Sequence, residues 1–259
     1  MLRELFPEIE IHAEDLLLLE AFQIKYLSDR VHQKEFATLL REYPVVHRYL
    51  VSKYPPIASF LSGLLEETKA TADSRLIKKQ CQEALWEIAD LIIYNKHPEL
   101  YDQKTRIHWD ISDITSITSL NGKTIADVGA GSGRIAFMVA PIAQAVFAVE
   151  PISSFRSFMK EKGLKQELKY LFVMDGTLDS IPLPENILDV LGTSNAIGWN
   201  LVEELMEIER VVKPGGYAIH LLHSDDHQKD PLHETVTSPS WNDHTTRDVS
   251  ENTLKLKEY

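Results

Sequence analysis

From about Glu14 to Asn95, apolar residues recur at helical spacing. Leu16, Leu19, Ala21, Phe22 and Tyr26 form one stripe, and Phe36, Leu39, Leu40 and Tyr43 form a second. Leu76, Ile77, Cys81, Leu85, Ile88, Leu91 and Ile92 form a third, longer one. Breaks fall at Pro44, at Pro55-Pro56 and around Thr71 to Ser74, where Asp73 or Ser74 is placed to cap the next helix. The pattern predicts four or five helices whose stripes make a core. Past Asp110 the rhythm shortens to brief apolar runs separated by Gly, Asn and Asp. Residues 124–128, 145–149, 170–174, 187–191 and 217–222 read as strands, and 134–143, 153–162 and 201–212 as helices between them. Strands alternating with helices of this length predict a parallel sheet covered on both faces. From Ser224 to Tyr259 the chain is polar, and only Thr253 to Leu256 offers a late strand.

Composition narrows the functional classes. The 259 residues are 44% hydrophobic, enough to bury a real core. Lys and Arg total 27 against 39 Asp and Glu, a formal net charge of −12 that disfavours binding to phosphate backbones or anionic membranes. One cysteine, Cys81, supports neither an internal disulfide nor a cysteine zinc site, which fits a reducing, cytoplasmic setting. The first residues lack the basic-then-apolar layout of a signal peptide. The longest apolar run, Ile135 to Val149, contains Pro141 and Gln144 and falls short of the roughly 18 apolar residues of a bilayer span.

The run Asp127-Val128-Gly129-Ala130-Gly131-Ser132-Gly133-Arg134 carries the chemistry, because it follows a strand and opens a helix. Glycines there let the backbone turn sharply and approach a ligand closely. Amides at a helix start then offer donors and a positive dipole end. A dinucleotide fingerprint needs a third glycine where Arg134 or Ala136 stands, so the spacing argues against a nicotinamide enzyme.

This spacing resembles motif I of the class I, Rossmann-like S-adenosylmethionine-dependent methyltransferases, and four later segments are similar to that family in order. Glu150, followed by Pro151, ends the second strand, where the family places the acid that accepts from the ribose hydroxyls. Asp175, Gly176 and Thr177 follow the third strand at the family's adenine end. Residues 178–190 look like the turn into strand four, and 205–216 like the connection into strand five. The resemblance spans about residues 119 to 223. It implies a doubly wound, mostly parallel α/β core over 119–259, preceded by an all-helical module over 1–118 that covers the acceptor site. S-adenosylmethionine is the implied cofactor, with S-adenosylhomocysteine as product. The implied cofactor contacts are Asp127, Gly129, Ala130, Gly131, Gly133, Glu150, Pro151, Asp175, Gly176, Thr177, Asn195 and Ala196. For Asp127 two readings stand: contact near the methionine end of the ligand, or support of the glycine turn. Family members carry seven strands with the last antiparallel, and the polar tail departs from that pattern.

The acceptor side is less defined. Gly192 to Asn200 matches neither the Pro-Pro motif of amino-methylating enzymes nor a Pro-Cys nucleophile. Trp199 is the candidate wall of the acceptor pocket, and His223, at the carboxyl edge of strand five, the candidate base. His220, His223, Asp225, Asp226, His227, His233 and Glu234 match no metal-ligand spacing, so no metal is expected. The expected reaction is in-line displacement of a sulfonium methyl by a small-molecule acceptor, with nucleic acid and membrane disfavoured and a homo-oligomer left open. A protein or RNA acceptor, or cofactor binding without catalysis, remain the competing classes.

Overall fold

The computed structural model describes residues 2–104, 110–223, 245–249 and 252–259, of which 2, 223, 245–249 and 252–254 are described by backbone alone. The chain divides into two compact units, Met1–Lys104 and Thr105–Tyr259.

The first unit is helical. Its α-helices are α1 (Leu2–Leu5), α2 (Ala21–Lys25), α3 (Gln33–Glu42), α4 (Pro44–Lys53), α5 (Ala58–Glu67), α6 (Ser74–Glu87), α7 (Ala89–Lys96) and α8 (Pro98–Lys104), with short 3-10 turns before α2, α3 and α5. These are more and shorter pieces than the apolar stripes predict. The first stripe is shared between a 3-10 turn, Ala13–Leu18, and α2. The third breaks at Ile88, whose φ of −111° and ψ of 24° leave the helical region between α6 and α7. Spacing survives such a break because Leu85, Ile88 and Ile92 still share one core with Leu16, Leu19, Phe36 and Leu39. Proline starts α4, where its missing N–H costs no intrahelical bond. Asp73 caps α6, accepting from the amides of Arg75 at 2.9 Å and Leu76 at 3.3 Å. Asp73→Ala is expected to lower the stability of this unit by about 1 kcal/mol; denaturant unfolding checks it, and an unchanged midpoint would mean that the cap contributes nothing.

The second unit opens with α9 (Ile111–Thr115), whose Ile114 packs with Leu120 into the core of the sheet. Then follow β1 (Thr124–Val128), α10 (Arg134–Val139), β2 (Ala145–Val149), α11 (Ser153–Lys165) and β3 (Leu171–Met174). After them come β4 (Leu188–Ser194), α12 (Leu201–Val211), β5 (Val212–His223), β6 (Thr245–Val249) and β7 (Asn252–Glu258). The sheet order is β3-β2-β1-β4-β5-β7-β6. β1 to β5 pair in parallel. β7 is antiparallel to both β5 and β6, so β6 runs with the other strands.

Alternation along the strands sorts the two faces. Ile125, Val146, Val190 and Ile219 pack beneath Ile135 and Val139 of α10 and Met159 of α11. On the other face Ala126, Val128, Val149, Leu191 and Leu222 meet Ile208 and Val211 of α12. Leu178, Ile181 and Leu183 of the β3–β4 connection join that second cluster, so this loop is anchored by apolar burial.

The tail corrects the sequence reading. Two late strands are present, and the sheet has the seven strands that the polar tail had put in doubt. The seven β7 residues pair with Tyr217 to His223 of β5, and Leu256 reaches the core, although Lys255 and Lys257 alternate with it. Strand formation here follows the pairing partner more than intrinsic propensity.

Candidate functional site

β1 lies between β2 and β4, and the chain leaves it first towards β2 and β3, then crosses back to β4 and β5. Open α/β sheets bind ligands at such a switch point, outside the carboxyl ends of the strands. Every residue that the sequence proposes for the cofactor follows one of β1, β2, β3 or β4 at that edge, apart from Asp127 within β1.

The glycine loop is built around backbone that side chains resist. Gly129, Gly131 and Gly133 have φ of 69°, 55° and 83°. A Cβ at Gly129 would lie 2.3 Å from Cβ of Ala196, so the loops after β1 and β4 close on each other only because that residue is glycine. At Gly133 a Cβ would strike Sδ of Met159 at 2.7 Å. Gly131 differs: among the described residues no atom lies within 4 Å of where its Cβ would be. The loop therefore presents its middle glycine to open space.

Glu150 stands against this loop. Its carboxylate is 4% exposed and accepts from the amide of Gly131 at 2.7 Å and that of Ile152 at 2.9 Å. A carboxylate is an acceptor-only group with two oxygens, the type of partner that two vicinal ribose hydroxyls require. The Gly131 amide, which the sequence offers as a ligand donor, is held by Glu150. Ala130 and Gly129 donate to the carbonyl of Val149 at 3.1 and 2.9 Å. These bonds fix the loop in place beside the acid.

Asp127 sits beneath the loop, 1% exposed, on the α10 side of the sheet. It accepts from the Ala136 amide at 2.9 Å, in the first turn of α10. Burial pushes its pKa up to about 7, with the Ala136 amide opposing and the charge of Glu150 adding to the rise. The bond ties Asp127 to the start of α10. Asp175 is 71% exposed on its side chain and pairs with Arg156 at 3.0 Å, while the same guanidinium nitrogen donates to the Glu150 carbonyl at 2.8 Å. Arg156 thus joins the ends of β2 and β3, a role the sequence reading missed. Its only signal was a position four residues into the helix after Glu150 and Pro151. Gly176 follows Asp175 with no room for a side chain, since a Cβ would meet Pro182 at 2.6 Å. Thr177 donates to Asp179 at 2.5 Å.

On the acceptor side, Asn195 adopts a left-handed φ of 52° and donates its amide to the Leu221 carbonyl at 3.0 Å. Trp199 is 49% exposed on the turn that follows. Glu204 was not singled out in the sequence, yet it is 2% exposed and takes the amides of Gly198 at 2.6 Å and Asn200 at 3.0 Å. His223 ends β5 with its backbone opposite Asn252; its side chain lies outside the described residues. Asp225, Asp226, His227, His233 and Glu234 also lie outside them. His220 is buried beside Thr193, with 2.8 Å between Nδ1 and Oγ1. Among the described residues no three His, Cys, Asp or Glu side chains group as a metal site, and no helix is long and apolar enough to cross a membrane.

Residues 126–220 match the methyltransferase domain family, a stretch that holds the glycine loop, Glu150, Asp175 and the Gly192–Asn200 segment. The second unit is a class I methyltransferase domain. Protein arginine N-methyltransferase 6 of Xenopus tropicalis is 30% identical to this chain over 131 residues, 46% of this chain and 37% of that protein. The chain thus matches little more than a third of that relative's length. Among solved structures, a SAM-dependent methyltransferase from Aquifex aeolicus is 20% identical, with a TM-score of 0.48, covering 72% of this chain and 98% of the other. One described as a putative S-adenosyl-L-methionine-dependent methyltransferase from Methanococcus maripaludis is 14% identical with a TM-score of 0.46, covering 74% and 95%. S-adenosylmethionine fits the methyltransferase domain's own residues: open space faces Gly131, and the Glu150 carboxylate flanks it.

Proposed function

We propose that this chain is an S-adenosylmethionine-dependent methyltransferase that passes a methyl group to a small-molecule acceptor at the carboxyl ends of β1 and β4. The observation that carries this reading is the left-handed Gly131, open on its Cβ side and hydrogen-bonded through its amide to Glu150. When bound, S-adenosylmethionine supplies a sulfonium methyl with a good leaving group already attached. What the chain must add is alignment and exclusion of water. Gly129, Ala130, Gly131 and Gly133 give the ligand close backbone approach, with Asp127 beneath them. Glu150 and Pro151 are assigned the ribose, Asp175, Gly176 and Thr177 the adenine end, and Asn195 and Ala196 the methionine side near the acceptor. Trp199 walls the acceptor, and His223 is the candidate to take its proton. The net charge of −12 supports a small molecule over nucleic acid as acceptor.

Calorimetry with S-adenosylmethionine and S-adenosylhomocysteine tests the cofactor half: saturable binding of both is expected, and none to folded protein would end this reading. A second reading, a protein acceptor, is favoured by the likeness to an arginine methyltransferase. Labelled methyl offered with a panel of small acceptors and, separately, with lysate protein distinguishes the two. Transfer to protein alone would reverse the choice, and binding without transfer to anything would make the chain a sensor.

A further inference from the structure

Asn200 is the N-cap of α12, and Glu204 lies in the helix's first turn. An acidic side chain there commonly reaches back to the N-cap amide. Glu204 does more. Its buried carboxylate gathers the amides of Gly198 and Asn200, at 2.6 and 3.0 Å, and the Trp199 amide between them also turns to it. Gly198, at a φ of 114°, lies outside the helix, so binding its amide adds nothing to the helix and instead sets the shape of the turn. A second tie runs sideways: the Asn200 amide side chain donates to Asp179 at 3.2 Å, and Asp179 accepts from Thr177 at 2.5 Å. The turn after β4 is thereby fastened to the loop after β3.

Fixing a backbone costs conformational entropy, usually offset by burying the side chains it carries. Here the residue at the centre is Trp199, and half of its surface stays exposed. A buried carboxylate holding a rigid turn that leaves its central tryptophan half exposed is poorly explained by stability. It is well explained by the need to hold that ring at one place, on a turn three residues beyond Ala196, whose Cβ touches the glycine loop at Gly129.

Resting on the cofactor reading above, we propose that Glu204 is a positioning residue for the methyl acceptor: it fixes the Gly198–Asn200 turn so that Trp199 forms a rigid wall of the acceptor pocket, with Asn200 and Asp179 locking that wall to the cofactor-side loop. Glu204 acts only through the turn and touches neither the cofactor nor the acceptor.

The test uses the full chain with Trp86, Trp109 and Trp241 replaced by phenylalanine, leaving Trp199 as the reporter. Steady-state anisotropy and acrylamide quenching of Trp199 are read for Glu204, Glu204→Gln and Glu204→Ala, with S-adenosylhomocysteine affinity measured on each. Gln keeps one accepting oxygen and Ala none, so anisotropy should fall and quenching rise in that order, about twofold in quenching constant for Ala. The S-adenosylhomocysteine affinity should stay within about threefold. Asn200→Ala, which keeps the amides on Glu204 and cuts only the Asp179 tie, should give an intermediate loosening even if the Glu204 variants fold poorly. Unchanged Trp199 signals in folded variants would overturn the proposal. So would a tenfold loss of S-adenosylhomocysteine affinity, which would place Glu204 in the cofactor site. Absence of binding already in the parent chain would instead overturn the cofactor reading, and this proposal with it.

Discussion

Gly131→Leu is expected to abolish measurable S-adenosylhomocysteine binding while leaving a folded protein. Two effects must be separated. A residue with a Cβ at φ 55° is strained by about 1–2 kcal/mol, and the leucine side chain fills the space that the glycine leaves open. Strain alone lowers stability; occupation of the space blocks the ligand. Gly122 provides the control. It has a φ of 72° and, among the described residues, no atom within 4 Å of its missing Cβ, but it precedes β1 at the opposite end of the strand. Gly122→Leu should carry similar strain and bind normally. For Gly131→Leu the loss should exceed about a hundredfold, equivalent to roughly 2.7 kcal/mol. Calorimetry and thermal melting on both variants decide the matter, and equal affinities in the two would move the site elsewhere. Gly129→Leu is a poorer probe because its first side-chain atom already collides with Ala196, so lost binding would be confounded with a displaced β4 loop.

The difference between these glycines also shows how far the sequence can be read. The glycine loop and Glu150 were legible because a strand, three glycines at fixed spacing, a helix and a strand-end acid are all local features of the chain. The first two strands lie where the apolar runs put them, Thr124–Val128 and Ala145–Val149. Local pattern fails where partners are remote. β7 looks too charged for a strand, and it exists because β5 lends it a full ladder of backbone partners. α10 stops at Val139 rather than at residue 143, because Pro141 has no N–H with which to continue it. Arg156 and Glu204 gave no sequence signal of comparable strength, since each works by reaching backbone groups that only the folded chain brings within 3 Å. Acids and bases that hold loops look, in sequence, like any charged residue on a helix.

Asp127 is the case in which residue type was legible and protonation state was not. In the unfolded chain its carboxyl ionises near pH 3.8; in the folded chain burial delays this to about 7. Between those values the folded state holds a proton that the unfolded state has released. Stability therefore falls as pH rises through the window, by about 1.4 kcal/mol per unit and about 4 kcal/mol in all, and no further above it. Asp127→Asn is neutral throughout and can still accept from the Ala136 amide. Its extra N–H group adds a burial cost of about 1–3 kcal/mol that is the same at every pH. The slope, not the absolute stability, is the quantity to compare. Denaturant unfolding of both proteins at pH 5 and pH 8 should show wild type losing about 2.5 kcal/mol more than the variant across that interval; parallel losses would mean that Asp127 titrates normally. The same variant separates the two readings of this residue. If the carboxylate only supports α10, S-adenosylhomocysteine affinity stays within a few-fold at either pH, because asparagine preserves the supporting bond. If it receives the ligand's ammonium group, the penalty of the substitution is larger at pH 8, where wild type is ionised, than at pH 6, where it is mostly protonated.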